Sequence, residues 1–160
     1  SPESLHTADI FMCQIRSIKF DITRDWIDTS FPELIHLSVT KATLDGYYEL
    51  ARARPFQKYM GGSLRHLELM VVHIDVSLQN HLIKNCPRLR KISIYECSIE
   101  APLSLTELLK SLPFLEDVIF RGYTEEDDIT SALEYAVSRK NLKFLNCPTA
   151  LRIFFDDSRL

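Results

Sequence analysis

Five histidines are the side chains best suited to acid–base or metal chemistry in this chain, and two of them occupy equivalent places. His36 and His66 are each the third residue of an apolar pattern, Leu34-x-x-Leu37-x-Val39 and Leu64-x-x-Leu67-x-Leu69. Neighbouring imidazoles could bind a divalent metal with Glu68 as the third ligand, because nitrogen and carboxylate donors suit such ions. Paired histidines are more often plain polar surface, so the sequence predicts no metal site and no cofactor.

The sequence contains none of the common motifs of nucleophilic or nucleotide chemistry. Its four glycines form no glycine-rich phosphate loop, and no serine stands in a Gly-x-Ser-x-Gly pattern. Covalent catalysis needs a nucleophile, a base and an orienting group close together. The sequence therefore predicts a non-catalytic protein, with no catalytic residues and no small-molecule substrate.

The four cysteines, Cys13, Cys86, Cys97 and Cys147, are widely separated and form no Cys-x-x-Cys pair. Thiolate zinc sites usually contain such closely spaced ligands, and the chain is not of the small, cysteine-dense type that disulfides hold together. The sequence therefore predicts reduced, buried thiols and an intracellular protein of the cytoplasm or nucleus.

Composition describes an ordinary globular chain. Of its 160 residues, 46% are hydrophobic and 26% charged, and the net charge is −3 with a pI of about 5.9. Domains that bind polyanions are usually basic, and no apolar run approaches the ~18–20 residues needed to cross a bilayer. A protein partner is therefore favoured over nucleic acid, and no membrane span is predicted.

One segment, residues 52–59, interleaves basic and aromatic side chains. Arg52, Arg54 and Lys58 could form a secondary patch for phosphate, nucleic acid or an acidic peptide. The alternative, which we favour, is a solvated loop with its two aromatic side chains, Phe56 and Tyr59, packed beneath it.

A repeated apolar pattern must position these candidate residues. Its four clearest copies begin 25, 26 and 27 residues apart, inside the ~20–29 residue period of leucine-rich repeats. They read Leu64-x-x-Leu67-x-Leu69, Leu89-x-x-Ile92-x-Ile94, Leu115-x-x-Val118-x-Phe120 and Leu142-x-x-Leu145-x-Cys147, and the weaker copies are Ile15-x-x-Ile18-x-Phe20 and Leu34-x-x-Leu37-x-Val39.

The regular copies combine a strand with one buried face and a helical pattern. Because neither element buries its apolar side alone, the sequence predicts an α/β solenoid of about six strand–helix units, with a parallel sheet on the concave face and helices on the convex face.

The pattern predicts a single domain over residues 1–160. Residues 1–33 form an irregular N-terminal unit or cap, and residues 34–63 form an overlong unit that carries the basic insert. Residues 64–146 form the regular units, and residues 147–160 form a C-terminal cap or tail.

Four helices are predicted, at Leu44–Ala53, Val76–Ile83, Leu103–Leu112 and Ile129–Val137. Thr124 is the expected N-cap of the last helix, and the acidic run 125–128 follows it. This run lacks the alternating ligands and glycine of a calcium loop, so a helix start is favoured over a calcium site.

Strand alternation separates core-facing from open positions in each copy. The fourth and sixth residues are expected in the core, namely Leu67, Leu69, Ile92, Ile94, Val118, Phe120 and Leu145. The third, fifth and seventh face the concave side, where three consecutive units bring together residue types common in binding hot spots: Met70, Tyr95, Ile119 and Arg121. The predicted partner-binding surface adds His66, Glu68 and Lys91. Alternatively, the apolar segment that contains Phe154-Phe155 covers this surface as a cap.

The motif Asn85-Cys86-Pro87-Arg-Leu89-x-x-Ile92-x-Ile94-x-x-Cys97-x-Ile99 resembles the cysteine-containing class of leucine-rich repeat. That class is typical of F-box/leucine-rich-repeat proteins, the substrate receptors of cullin-type ubiquitin ligases. The region before Ile15 is too short to hold an F-box. The resemblance implies a protein–protein interaction module, and in its finer form the substrate-recognition part of such a ligase.

Two further functions stay open at this point. RNA binding or ribonucleoprotein assembly would use the basic insert, since some leucine-rich-repeat domains serve ribonucleoproteins. A scaffold subunit would instead pack an exposed end of the array against a larger complex.

Overall fold

The computed structural model describes residues 14–21, 31–40, 51–122 and 124–147. In chain order, its strands are β1 (Ser17–Asp21), β2 (His36–Thr40), β3 (Ala51–Arg52), β4 (His66–Met70), β5 (Val72–Ile74), β6 (Lys91–Tyr95), β7 (Ser98–Ile99), β8 (Asp117–Arg121) and β9 (Lys143–Cys147). Within these residues, β1, β2, β4, β6, β8 and β9 form a parallel sheet in that order, and β3, β5 and β7 form a smaller parallel sheet. With the helices given below, this confirms a mixed α/β architecture with a six-stranded parallel sheet.

The large sheet is paired in register from its first strand to its last. The first residues of the six strands align directly, and they are Ser17, His36, His66, Lys91, Asp117 and Lys143. Side chains of a strand alternate between the two faces of a sheet, so the second and fourth residues of every strand share the core face. Eight of these are fully buried: Leu37, Val39, Leu67, Leu69, Ile92, Ile94, Val118 and Phe120. The predicted burial of the six residues from Leu67 to Phe120 is confirmed.

Three helices cover this core within the described residues: α1 (Val76–Asn85), α2 (Leu105–Ser111) and α3 (Glu126–Ser138). Each has apolar side chains in the same buried cluster as the sheet, including Leu82, Leu108 and Ala132. Helices are therefore confirmed at three of the four predicted places, and the predicted burial of Leu108, Leu109 and Leu112 is confirmed as well.

Two helix predictions need correction. The helix predicted at Leu44–Ala53 is wrong at its end, because Ala51–Arg52 is strand β3 paired with β5, and residues 41–50 lie outside the described part. The predicted N-cap Thr124 is wrong by one residue, since Glu125 precedes α3. The Thr124 hydroxyl instead donates to Asp128 Oδ2 at 3.2 Å.

The backbone turns sharply after three of the strands. The next residue has a positive φ each time, 56° at Val71, 51° at Glu96 and 159° at Gly122. After β4 and β6, this turn leads the chain into β5 and β7 of the smaller sheet. A β-branched residue is rarely found at such a φ, so tertiary structure overrides local preference at Val71.

Two cysteines support these turns and the core. Cys97 is 5% exposed, and its Sγ lies 3.4 Å from the carbonyl oxygens of Leu69 and Tyr95. Cys86 is fully buried at the end of α1. Both thiols are free, and burial raises the pKa of each to about 12. The prediction of reduced, buried thiols is confirmed for these two, whereas Cys13 and the Cys147 side chain lie outside the described part.

An aromatic cluster closes the core beside β1. Phe20 stacks on Tyr59 with ring centroids 4.6 Å apart and contacts Phe31 and Phe56 at 6.1 and 5.6 Å. Phe56 and Tyr59 are the aromatic residues of the insert 52–59 and belong to a 3-10 helix at Arg54–Tyr59. Their side chains are only 2% and 3% exposed. The favoured interpretation of the insert, with its aromatic side chains packed beneath it, is confirmed.

Asp128 of α3 caps the neighbouring helix α2. Its carboxylate accepts hydrogen bonds from the backbone N–H groups of Leu105 and Thr106 at 2.8 and 3.0 Å, and from the Thr106 hydroxyl at 2.7 Å. The first N–H groups of a helix have no partner within it, and a negative charge there interacts favourably with the helix dipole. Burial alone would raise the pKa of Asp128, but these hydrogen bonds lower the pKa below its usual value.

We expect Asp128→Ala to destabilise the fold by about 1.5–3 kcal/mol, because charge-assisted hydrogen bonds to two orphan N–H groups are lost. Asp128→Asn should cost less, since it keeps an acceptor oxygen. The folded-state pKa lies below the unfolded value of about 3.9, so this stabilisation is present above that pH and is lost as the pH falls through the folded-state pKa. Urea unfolding over this pH range measures both effects.

The matched control for the cap is Asp127→Asn, a neighbouring carboxylate that is exposed. It should leave the free energy of unfolding nearly unchanged. An equal loss in both asparagine variants would contradict a specific cap and indicate a general charge effect at the start of α3.

Candidate functional site

The open face of the large sheet carries the first, third and fifth residue of each strand. In-register pairing arranges them in three rows across the sheet. The first row is Ser17, His36, His66, Lys91, Asp117 and Lys143; the second is Lys19, Ser38, Glu68, Ser93, Ile119 and Leu145; the third is Asp21, Thr40, Met70, Tyr95 and Arg121. All seven residues predicted to bind a partner lie on this face.

The third row brings together three of the predicted binding residues. Met70 pairs with Tyr95, and Tyr95 with Arg121. The Arg121 guanidinium lies 4.9 Å from the centroid of the Tyr95 ring, a cation–π arrangement. Its Nε is also 3.5 Å from Glu96 Oε1. Burial raises the pKa of Glu96 while Arg121 opposes that rise. The arginine is thus held in place over the tyrosine before any partner arrives.

The second row includes Leu145, for which the predicted position in the core is wrong. Leu145 was predicted in the core, but it is 55% exposed and pairs with Ile119 on the open face. Phe144 takes the core position instead, opposite Val118, and packs against the buried cluster. The reason is a one-residue shift: β9 starts one residue after Leu142, whereas β8 starts two residues after Leu115. Ile119 and Leu145 therefore extend the apolar part of the open face by one strand.

The first row contains the histidine pair. His36 and His66 are paired in register, and their rings stack with centroids 4.2 Å apart and planes 3° apart. Burial lowers the pKa of His66 to about 4, and the nearby charges of His36 and Lys91 act in the same direction. The carboxylates of Glu68 and Asp117 oppose this shift. His66 is therefore neutral at neutral pH.

Hydroxyl groups hold the polar side chains around this pair. Ser93 Oγ lies 3.1 Å from His66 Nε2, and the Ser38 hydroxyl donates to Glu68 Oε1 at 3.0 Å. Next to them, Lys91 Nζ lies 3.8 Å from Asp117 Oδ2. Polar groups of both signs thus fill the part of the open face next to the apolar residues.

The basic insert is separate from the open face. Arg54 and Lys58 are exposed, and Lys58 Nζ lies 5.1 Å from the centroid of the Tyr59 ring. The 3-10 helix that carries them contacts α1, where Gln57 Nε2 donates to Ser77 Oγ at 3.2 Å. Arg52 lies in β3 of the smaller sheet. The structure therefore does not bring the candidate secondary patch together with the predicted partner surface.

Comparisons of the chain with protein-family models, with curated proteins and with solved structures find no match. Among the helices of the described residues, none combines the length and the apolar character needed to cross a membrane. Inferences about function therefore rest on the residues and their geometry.

The register of β9 predicts a ranking of two neighbouring substitutions. Leu145→Ala should change the free energy of unfolding by less than about 0.5 kcal/mol, because this side chain is mostly exposed. Phe144→Ala should cost more than about 1 kcal/mol, since it removes a ring that packs on the core. Urea denaturation of both variants measures the difference. The reverse ranking would show that Leu145, and not Phe144, fills the core.

Proposed function

We propose that this chain is a leucine-rich-repeat domain that binds a protein partner through the open face of its large sheet and performs no catalysis. Four successive strands of that sheet begin 25, 26 and 26 residues apart, at His66, Lys91, Asp117 and Lys143. The equivalent left-handed turns after β4 and β6 and the connecting helices α1 and α2 support a repeated unit. In this proposal the units stack as a solenoid, with the open face on its concave side.

The observation that carries the proposal is the composition of one end of the open face. Met70, Tyr95, Ile119 and Leu145 lie on four adjacent strands, with Arg121 held over the tyrosine. Aromatic, methionine and arginine side chains are enriched in protein interfaces, and tyrosine and arginine in their hot spots. Holding Arg121 in advance reduces the conformational entropy that binding costs.

The charges around this surface favour a protein over a nucleic acid. In the first row one carboxylate, Asp117, lies between Lys91 and Lys143 and is paired with Lys91, whereas phosphate backbones require a surface of one sign. The RNA alternative depends on residues 52–59. It has less support because Phe56 and Tyr59 are buried, and base stacking needs exposed aromatic faces.

The finer form of the proposal concerns the biological role. The motif at residues 85–99, which resembles repeats of F-box/leucine-rich-repeat receptors, supports substrate recognition for a cullin-type ubiquitin ligase. Such a receptor functions inside the cell, in the cytoplasm or nucleus, and the buried free thiols Cys86 and Cys97 agree with that setting. A scaffold role would use the same surface without ligase activity.

We expect Tyr95→Ala combined with Arg121→Ala to weaken partner binding by about 2 kcal/mol or more, roughly 30-fold in Kd. Both side chains project from the open face, so their removal opens no cavity in the core. Proteins captured from cell extract by the wild type are first identified by mass spectrometry. The Kd of each purified candidate is then measured with wild type and variant.

The control variant is Glu107→Ala with Lys110→Ala, which removes two exposed side chains of α2. It should bind like the wild type, and all three proteins should have similar melting temperatures. An unchanged Kd for a folded Tyr95/Arg121 variant would reject the open face as the binding surface. Lost binding with a collapsed melting curve would instead show that the pair is structural.

A further inference from the structure

We propose that His36, His66 and Glu68 form a binding site for a divalent transition-metal ion, with Zn²⁺ as the representative. The sequence alone favoured plain polar surface for these residues. In the structure, the positions of these three side chains favour a metal site instead. This proposal does not depend on the proposed partner binding.

The three side chains converge on one small volume. His36 and His66 are opposite each other on β2 and β4, and Glu68 is two residues along β4 on the same face. One ligand atom of each lies within 4.8 Å of the others, and all three side chains are half-buried. Ligands around a tetrahedral zinc ion are roughly 3.4 Å apart, given bond lengths of about 2.0–2.2 Å. A contraction of up to about 1.4 Å in the separation of these ligand atoms would therefore complete the set.

The stacked rings can reach this geometry by a small rotation. An imidazole binds a metal in the plane of its ring, so two parallel rings 4.2 Å apart cannot share one ion until one of them tilts. The torsion that tilts a histidine ring has a broad energy minimum, so the tilt costs little.

His36 supplies a buried nitrogen that could bind the ion. Nε2 of His36 is buried and has no hydrogen-bond partner among the described residues, while its Nδ1 lies 3.4 Å from Ser17 Oγ. Leaving a buried polar atom unsatisfied destabilises the fold. A metal ion at Nε2 would remove this destabilisation, with the serine orienting the ring from the other side.

The remaining ligands are supported in the same way. Ser93 contacts one nitrogen of His66 and Ser38 donates to Glu68, as partners in the second coordination sphere usually do. Two imidazoles and one carboxylate suit Zn²⁺, Co²⁺ or Ni²⁺ better than Mg²⁺, which prefers oxygen ligands alone. A water molecule on the open side would complete a tetrahedral set.

The surrounding charges are close to balanced. Lys91 is the cation next to His66, but its ammonium is 3.8 Å from the carboxylate of Asp117. Glu68 brings one negative charge into the site itself. The local field therefore does not exclude a divalent cation.

The test is isothermal titration of Zn²⁺ into the tag-free, reduced 160-residue protein after treatment with a chelator, with Mg²⁺ as a comparison. We expect one Zn²⁺ per chain, a rise in melting temperature with zinc, and no binding of Mg²⁺. Co²⁺ should give the visible absorption bands of a tetrahedral site. His36→Gln, His66→Gln and Glu68→Gln should each weaken zinc binding at least about tenfold.

The matched control is His73→Gln, on β5 of the smaller sheet and outside the site. It should bind Zn²⁺ like the wild type, and circular dichroism should show that every variant is folded. Absence of saturable binding to the wild type would overturn the proposal. Unchanged binding in the folded His66→Gln variant would overturn it as well, by showing that the ion binds elsewhere.

Discussion

In-register parallel pairing of the strands of the large sheet is the constraint on which the rest of this structure depends. It fixes which side chain of each strand enters the core, and a shift of one residue would exchange the two faces. The same register places His36 beside His66, and Tyr95 between Met70 and Arg121. Core, proposed partner surface and proposed metal site are thus three results of one hydrogen-bonding pattern.

Much of this arrangement could be predicted from the sequence because it follows from local periodicity. Alternating apolar residues in the copies that start at Leu64, Leu89 and Leu115 identify the strands, their buried faces and the neighbouring positions of the open face. The pairing of His36 with His66 follows from the same count.

The remainder depends on information that a repeat pattern does not contain. In the segment Leu142–Cys147, both Phe144 and Leu145 are apolar, so either residue could fill the core, and only pairing with β8 decides between them. The sequence predicted the acidic run 125–128 as a helix start but gave no sign that Asp128 reaches across to α2. The stacking of the His36 and His66 rings, two of the proposed metal ligands, is likewise a matter of side-chain geometry.

The Asp128 cap has a consequence for the order in which the chain becomes stable. The carboxylate lies 23 residues after Leu105 and accepts a hydrogen bond from its N–H, so α2 receives its capping charge from the later helix α3. During synthesis on a ribosome, the N–H groups of Leu105 and Thr106 lack this acceptor until the later segment has emerged and docked, whereas Ser104 can already cap the Glu107 N–H. A chain shortened before residue 128 would keep the residues of α2 but lose this cap, and with it part of the stability of α2. The stability of α2 and the docking of α3 are therefore coupled.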